Sequence, residues 1–291
     1  MTNFLFWNIN RRPIQDLIVS LALQERVDVL ILAECEIEVG PLLLALNTAM
    51  PVQFDFPVSQ SESAKVFTRF SRDFLRARAE GSRYSIRELN LPGTLPILMT
   101  SVHLPSKQNS ADDSQILEST ELARAVRDQE SRTGHGRSLI VGAFNMNPFE
   151  AGMVGASGLH ATMDRTVALR GSRTIRGRDY PFFYNPMWNY FGDENKAVPG
   201  THYYARNEQK VYFWNMFDQV LLRPELIPSL QNPGVRIITA VAGVSLLSSV
   251  VRPDKRVGSD HLPILFHWIY RSLNNELSVA RSLARRYCRC G

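Results

Sequence analysis

Apolar and aromatic residues crowd into residues 3–9 (Asn-Phe-Leu-Phe-Trp-Asn-Ile) and again into 27–33 (Val-Asp-Val-Leu-Ile-Leu-Ala). Short runs of this kind predict strands covered on both faces. Between them Ile14, Leu17, Ile18, Leu21 and Leu23 recur at helical spacing to about Glu25, with Asn10 placed to cap the helix and Pro13 in its first turn. The opening is therefore βαβ-like. Residues 64–90 read differently: partial alternation, as in Arg83-Tyr84-Ser85-Ile86-Arg87, predicts half-exposed strands. Leu95–His103 is apolar and ends in a polar cluster. Ser110–Ser131 predicts a helix with Ile116, Leu117, Leu122 and Val126 on its apolar side, and Leu139–Gly142 a buried strand running into Ala143–Pro148. Thirteen of the 28 aromatics fall between Tyr180 and Phe217, loop-like at first and strand-like from Gln209 to Leu222. Paired strands are expected over Val235–Val251, and Asp260-His261 opens a last strand, Leu262–Trp268. Many strands with two principal helices predict an α/β sandwich.

Composition narrows the class. At 291 residues and 44% hydrophobic the chain can bury a large core, and no apolar run approaches the ~20 residues of a membrane helix. Cys35, Cys288 and Cys290 are odd in number and badly spaced for a disulfide frame or a zinc site, which fits a reducing, cytoplasmic compartment. The net charge of +5 is uneven: residues 271–291 carry five Arg against Glu276, so the first 270 residues stand at only +1. Leu273, Leu277, Ala280 and Leu283 recur at helical spacing in that segment. It reads as a basic amphipathic helix, either docked by its apolar stripe or touching nucleic acid, a partner or an acidic surface. With no Gly-, Ser- or Pro-rich linker, the organisation is one domain over 1–270 and a basic appendage over 271–291.

Chemistry enters through a recurring polar residue at the end of a buried strand. Asn8 ends the first, Glu34 the second, His103 and Asn145 later ones; Asp218 falls within another, and Asp260-His261 begins the last. A charge beside a buried strand must be desolvated unless it is paired or bound to metal, so a set of them suggests a site.

The series Phe6-Trp7-Asn8, Asp28–Glu34, Ser101-Val-His103-Leu, Val141-Gly-Ala-Phe-Asn145-Met-Asn-Pro148, Phe217-Asp218-Gln-Val-Leu and Gly258-Ser-Asp260-His261-Leu-Pro-Ile264 resembles the endonuclease/exonuclease/phosphatase superfamily, the deoxyribonuclease-I-like phosphoesterases. The motifs stand in that family's order across residues 4–266. The resemblance implies a four-layer α-β-β-α sandwich of two mixed sheets flanked by helices, and a divalent-metal-dependent hydrolase of phosphodiesters. It implies that Glu34 and Asp260 belong to the metal site, for Mg²⁺ or Mn²⁺, with Asn8 assisting and Asn145 orienting phosphate or water. It further implies that His261 lies beside the scissile phosphate with its other nitrogen on Asp218, and that His103 donates to a phosphoryl oxygen or serves as an acid near the leaving group. Those residue types suit the task, because an anionic phosphodiester needs positive charge on its oxygens and a deprotonated water in line. Glu36 and Glu38 compete with Glu34 on strand parity but lie beyond the apolar run. His135, His160, His202 and His267 have no motif around them and read as packing or surface residues.

One position departs from the family: where it has Gly-Asp-Phe-Asn, this chain has Gly142-Ala143-Phe144-Asn145. A methyl group can neither take a proton nor contact a metal, so the chain as written is expected to be nearly inactive. A natural loss and a deliberate replacement both fit. The intact Asn145, Asp218, Asp260 and His261 favour replacement, since a long-inactive enzyme has no physical reason to keep costly polar groups at strand ends. Function is therefore read as if Asp stood at 143.

For substrate, the arginines at 69, 72, 76, 78, 83 and 87 form one basic stretch. Arg173, Arg176 and Arg178 form another, leading into the aromatic segment that holds Tyr184 and Trp188. Cations track a phosphate backbone and aromatics stack on unpaired bases, which makes Arg83, Arg173, Arg176, Tyr184 and Trp188 candidates for substrate binding. The bland alternative is a solvated strand face and a packed aromatic core. The expected partner is nucleic acid, DNA first, with room for a protein partner and no role for a membrane. The alternatives are a phosphodiesterase or phosphatase for a small nucleotide or lipid ester, and a natural pseudoenzyme that binds nucleic acid or protein.

Overall fold

The computed structural model describes residues 1–49, 53–107, 112–192, 198–207 and 209–269. The basic appendage expected over 271–291, with Cys288 and Cys290, lies outside the described residues.

Two mixed sheets are packed face to face. The first runs in the order β15 (Leu230–Ile237), β18 (Ile264–Trp268), β1 (Thr2–Asn8), β2 (Val29–Ala33), β3 (Lys65–Thr68). The second runs β4 (Leu75–Glu80), β5 (Tyr84–Leu89), β6 (Ile97–His103), β7 (Ser138–Ala143), β14 (Asp218–Leu222), β11 (Phe183–Tyr184), β8 (Ala161–Thr162). Three small hairpins, β9 (Ser172–Ile175) with β10 (Arg178–Pro181), β12 (His202–Tyr204) with β13 (Phe213–Asn215) and β16 (Ala240–Val241) with β17 (Val244–Ser245), stand apart from them. β1 pairs parallel with β2, and β6 parallel with β7; the remaining central pairs are antiparallel except β11 with β8.

The period of two along each strand sorts side chains into layers. Phe4, Phe6, Val29 and Ile31 on one sheet meet Met99, Val141, Val220 and Leu222 on the other in a core shared by both. Leu5, Trp7, Leu30 and Leu32 face outward onto Ile18 and Leu21 of α1 (Gln15–Gln24) and Leu42 and Leu46 of α2 (Val39–Ala49). Leu98, Val102 and Ile140 face outward onto Leu122 and Val126 of α3 (Asp112–Thr133). The architecture is thus the expected four-layer α-β-β-α sandwich. Strands buried on both faces have no polar side to alternate, which is why β1, β2 and β7 read as continuous apolar runs.

Several local expectations change in the packed structure. Asn10 caps nothing: α1 begins after Ile14 with no side-chain cap, and Asn10 sits in the left-handed region at φ 44°. Leu117 is 62% exposed, and the buried face of α3 is led by the polar Gln115 and Ser119. Asp260 and His261 lie in the loop before β18. Arg87 is only 2% exposed, with its guanidinium on Glu80 Oε1 (3.0 Å) and the Val58 carbonyl (2.8 Å), so it cannot face a phosphate backbone. Arg69, Arg72 and Arg78 in the same stretch are also paired, with Asp28, Asp55 and Glu88. α2 shows no helical stripe in the sequence, because its Leu42-Leu43-Leu44-Ala45-Leu46 run carries apolar residues all round.

Candidate active site

Sheet register brings the polar strand ends together. On the sandwich-facing side of β1 the column is Phe4, Phe6, Asn8; on β7 it is Leu139, Val141, Ala143; on β14, read backwards, it is Leu222, Val220, Asp218. In each strand the residue that closes the apolar column is a site position. Ala143 pairs in register with His103 on one side and Asp218 on the other, and Asn8 with Ala33, next to Glu34. Gly142 permits this closeness: a Cβ there would stand 2.0 Å from the Val102 carbonyl oxygen of β6.

Glu34 follows β2 at φ 47°, a left-handed conformation that costs a side chain such as glutamate about 1–3 kcal/mol and that tends to persist at functional sites. Its Oε1 accepts from Asn8 Nδ2 (2.9 Å) and lies 3.3 Å from His103 Nε2. The carboxyl is held down to about 2, chiefly by the His103 hydrogen bond, against burial that pushes it up. Glu36 is turned out to solvent on Arg11, which leaves Glu34 as the acid of this strand end. Asn145, at φ 54°, donates from Nδ2 to the Leu104 carbonyl (2.7 Å), and its own carbonyl accepts from Gln115 Nε2 (2.9 Å).

His261 Nδ1 lies 2.7 Å from Oδ2 of the fully buried Asp218. Burial opposes a charge on this imidazole. The Asp218 carboxylate, joined by Asp260 and Glu34, outweighs that cost and raises its pKa. The other carboxylate oxygen, Asp218 Oδ1, is buried with no partner among the described residues. Asp260 is enclosed by protein donors: Asn10 Nδ2 on Oδ1 (2.9 Å), Lys255 Nζ on Oδ2 (2.9 Å) and His202 Nε2 at 3.9 Å. Burial pushes its carboxyl up, but the positive charges of His261 and Lys255 and the Lys255 hydrogen bond hold it at about 2. His202 is driven down to about 3, first by burial and next by the charge of His261. A cleft of about 830 Å³ opens over these groups, lined by Glu34, Asn145, His202 and His261 together with Lys107, Arg206, Lys210 and Tyr212.

Of the residues singled out in the sequence, Asn8, Glu34, His103, Ala143, Asn145, Asp218, Asp260 and His261 thus converge on one end of the sandwich. Two of them are engaged otherwise than expected. His103 lies against Glu34, and Asp260 against Lys255 and Asn10. The substrate candidates scatter. Arg83 gives its carbonyl to the His103 N–H (2.9 Å), but its side chain borders a separate hollow with Tyr84 and Glu118. Arg173 and Arg176 lie on the exposed β9–β10 hairpin, and Trp188 packs against Phe149 and Phe191. Tyr184 is 4% exposed in the core, level with Leu222 at the far end of β14 from Asp218, and cannot stack on a base.

Besides the cleft-lining Lys107, Arg206, Lys210 and Tyr212, four residues join the site that the sequence did not mark for it. His202 is drawn in by a β-bridge to His261 and packs on Phe217, centroids 5.2 Å apart. Asn10, Lys255 and Gln115 reach the site from loops and from α3. A buried Gln leading a helix's apolar face was the one available signal. Cation chemistry is constrained by the donors present. Among the described residues no three His, Cys, Asp or Glu cluster as metal ligands, so no zinc-type cage is built. One ionised carboxylate with an amide beside it, open to a cleft, fits Mg²⁺, which keeps several waters and takes one or two carboxylates.

No protein-family model and no curated protein sequence matches the chain. Solved structures do. The 3′-5′ exonuclease NExo from Neisseria meningitidis superposes with a TM-score of 0.55 at 15% identity, over 92% of this chain and 100% of its own. A Neisseria NExo variant described as a 3′ phosphatase bound to a product DNA hairpin gives 0.53 at 15%, over 93% and 100%. An endonuclease/exonuclease/phosphatase family protein from Leptotrichia buccalis gives 0.53 at 13%, again over 93% and 100%. At these identities the likeness is one of fold, and the fold is that of endonuclease/exonuclease/phosphatase structures.

Proposed function

We propose that this chain is a member of the endonuclease/exonuclease/phosphatase superfamily and a divalent-metal-dependent nuclease for DNA, silenced by Ala143. One observation carries the reading: His103, Ala143 and Asp218 stand side by side across β6, β7 and β14, with Glu34 and the Asp218–His261 pair closing on the same point. The fold, shared with a 3′-5′ exonuclease and a DNA-bound 3′ phosphatase, supports phosphoester chemistry.

Glu34 would hold Mg²⁺ or Mn²⁺ with Asn8 beside it, and the cation when bound supplies positive charge to the phosphoryl oxygens and acidifies water. His261 has its Nδ1 held by Asp218, whose carboxylate favours the protonated imidazole, and in that form its Nε2–H would donate to a non-bridging oxygen of the phosphate. His103 keeps Glu34 ionised and oriented. Asn145 is held rigidly on the cleft wall by Leu104 and Gln115, as a group that orients phosphate or water must be. Asp260 would belong to the same metal and polar network, with Asn10, Lys255 and His202 around it. An Asp at 143, between His103 and Asp218, would supply the base that takes the water's proton.

The test is a reversion. Ala143→Asp and the chain as it stands are incubated with supercoiled plasmid in Mg²⁺, Mn²⁺ or EDTA. Nicking by the revertant alone, abolished by EDTA, is the expected result. A folded revertant that cuts no DNA in any metal would sink the DNA reading and favour a smaller phosphoester or a binding role.

A further inference from the structure

We infer that nucleic acid is held here as an unpaired strand, on an aromatic strip that leads from the cleft wall to the β9–β10 hairpin. The inference rests on the nuclease reading above. Tyr212 lines the cleft beside Lys210, whose ammonium lies 5.4 Å from the centre of the Tyr212 ring. Tyr212 meets Phe149 edge to face, centroids 5.2 Å apart, and Phe149 is 6.2 Å from Trp188. Trp188 in turn borders the hollow that holds Arg170 and Arg173, at the foot of the β9–β10 hairpin. The sequence of groups across the surface is therefore cation, three rings, cation.

Core packing does not use up Tyr212 and Phe149, the two rings nearest the cleft. Tyr212 is 44% exposed and Phe149 37%, while most of the large apolar side chains of both sheets are fully buried. An exposed ring face is worth most to a ligand with a flat aromatic face of its own, and the bases of an unpaired strand offer one per nucleotide. A duplex keeps those faces inside its stack and cannot use the rings. A cation stands at either end of the strip, Lys210 at the cleft and Arg170 with Arg173 beyond Trp188, where phosphates of the same strand can meet it. Arg170 and Arg173 have no carboxylate within ion-pair distance among the described residues, unlike the paired arginines of β4 and β5. A protein partner would fit the rings but leave the continuity with the catalytic cleft unexplained.

Ala143 makes the test one of binding alone. Fluorescence anisotropy is measured on the chain as it stands, in EDTA, with a labelled single-stranded DNA oligonucleotide and with its blunt duplex. The single strand should bind at least about tenfold tighter. Phe149→Ala with Tyr212→Ala should weaken single-strand binding by about tenfold or more without changing its salt slope, whereas Tyr212→Phe keeps the affinity. Arg170→Ala with Arg173→Ala should instead flatten the salt slope by about one to two counterions. Both rings are over a third exposed, so the variants should fold; circular dichroism checks this, and the single ring variants carry the test if the double does not fold. Equal binding of duplex and single strand, or binding indifferent to both rings, overturns the strip and leaves the nuclease reading standing. Failure of every oligonucleotide to bind overturns the strip, and the plasmid reversion then decides the nuclease reading separately.

Discussion

Asp218→Asn tests the buried pair at the centre of the site through stability alone. The substitution keeps the volume and a hydrogen-bonding atom but removes the charge 2.7 Å from His261 Nδ1. His261 then keeps its desolvation and loses the largest contribution opposing it, so its pKa falls. The sign follows from linkage. In the parent the folded pKa exceeds the unfolded one, so the pair's stabilisation is complete below about pH 6.5 and fades as pH rises through the folded pKa. In the variant the buried neutral imidazole resists protonation, so acid weakens the fold. The cost of Asp218→Asn must therefore grow on going from pH 8.5 to pH 6. A hydrogen bond to a charged group contributes about 1.5–3 kcal/mol, which sets the expected loss at the acid end. Urea titrations at several pH values in EDTA measure it, and ¹⁵N spectra of the imidazole follow the drop in pKa directly. A cost that is independent of pH, or larger in alkali, would refute the assignment of a raised His261 held by Asp218.

Three further outcomes are expected. In the Ala143→Asp background, Glu34→Gln should abolish EDTA-sensitive cutting and weaken Mn²⁺ binding seen by paramagnetic resonance, while retained metal binding would move the cation elsewhere. Gly142→Ala should cost about 3 kcal/mol, because the added Cβ would meet the Val102 carbonyl at 2.0 Å and force β6 from β7. A urea midpoint close to that of the parent would show that the strands can part freely. Removing residues 271–291 takes away a surplus of four positive charges and should flatten the salt dependence of oligonucleotide binding. Superimposable salt titrations would show that the appendage does not touch nucleic acid.

Layering was legible because it depends on short-range order. A strand buried on both faces is apolar along most of its length, as β1, β2 and β7 are, and a polar residue stands at or just past its end: Asn8 on β1, Glu34 after β2 and Asn145 after β7. Asn8, Glu34, His103, Asn145 and Asp218 could therefore be picked out one by one, and their family resemblance comes from the same strand ends. Where the chain lacks such a pattern, reading failed in both directions. Tyr184 and Arg87 look like ligand contacts in sequence and are buried, one in the core and one on Glu80. His202 looks like packing and lines the cleft.

What the sequence by itself determined is which positions had to be buried, where each buried strand had to end, and that polar residues stand at or just past those ends. Tertiary structure alone decided who meets whom. His103, residue 143 and Asp218 become neighbours through the register of β6, β7 and β14, segments separated by dozens of residues. Asn10 binds Asp260, 250 residues away, instead of capping the helix that follows it, and Lys255 takes that carboxylate's other oxygen. Periodicity records only whether a side chain faces a core. The partner of a buried charge depends on sheet register and loop path, and neither leaves a local trace in the chain.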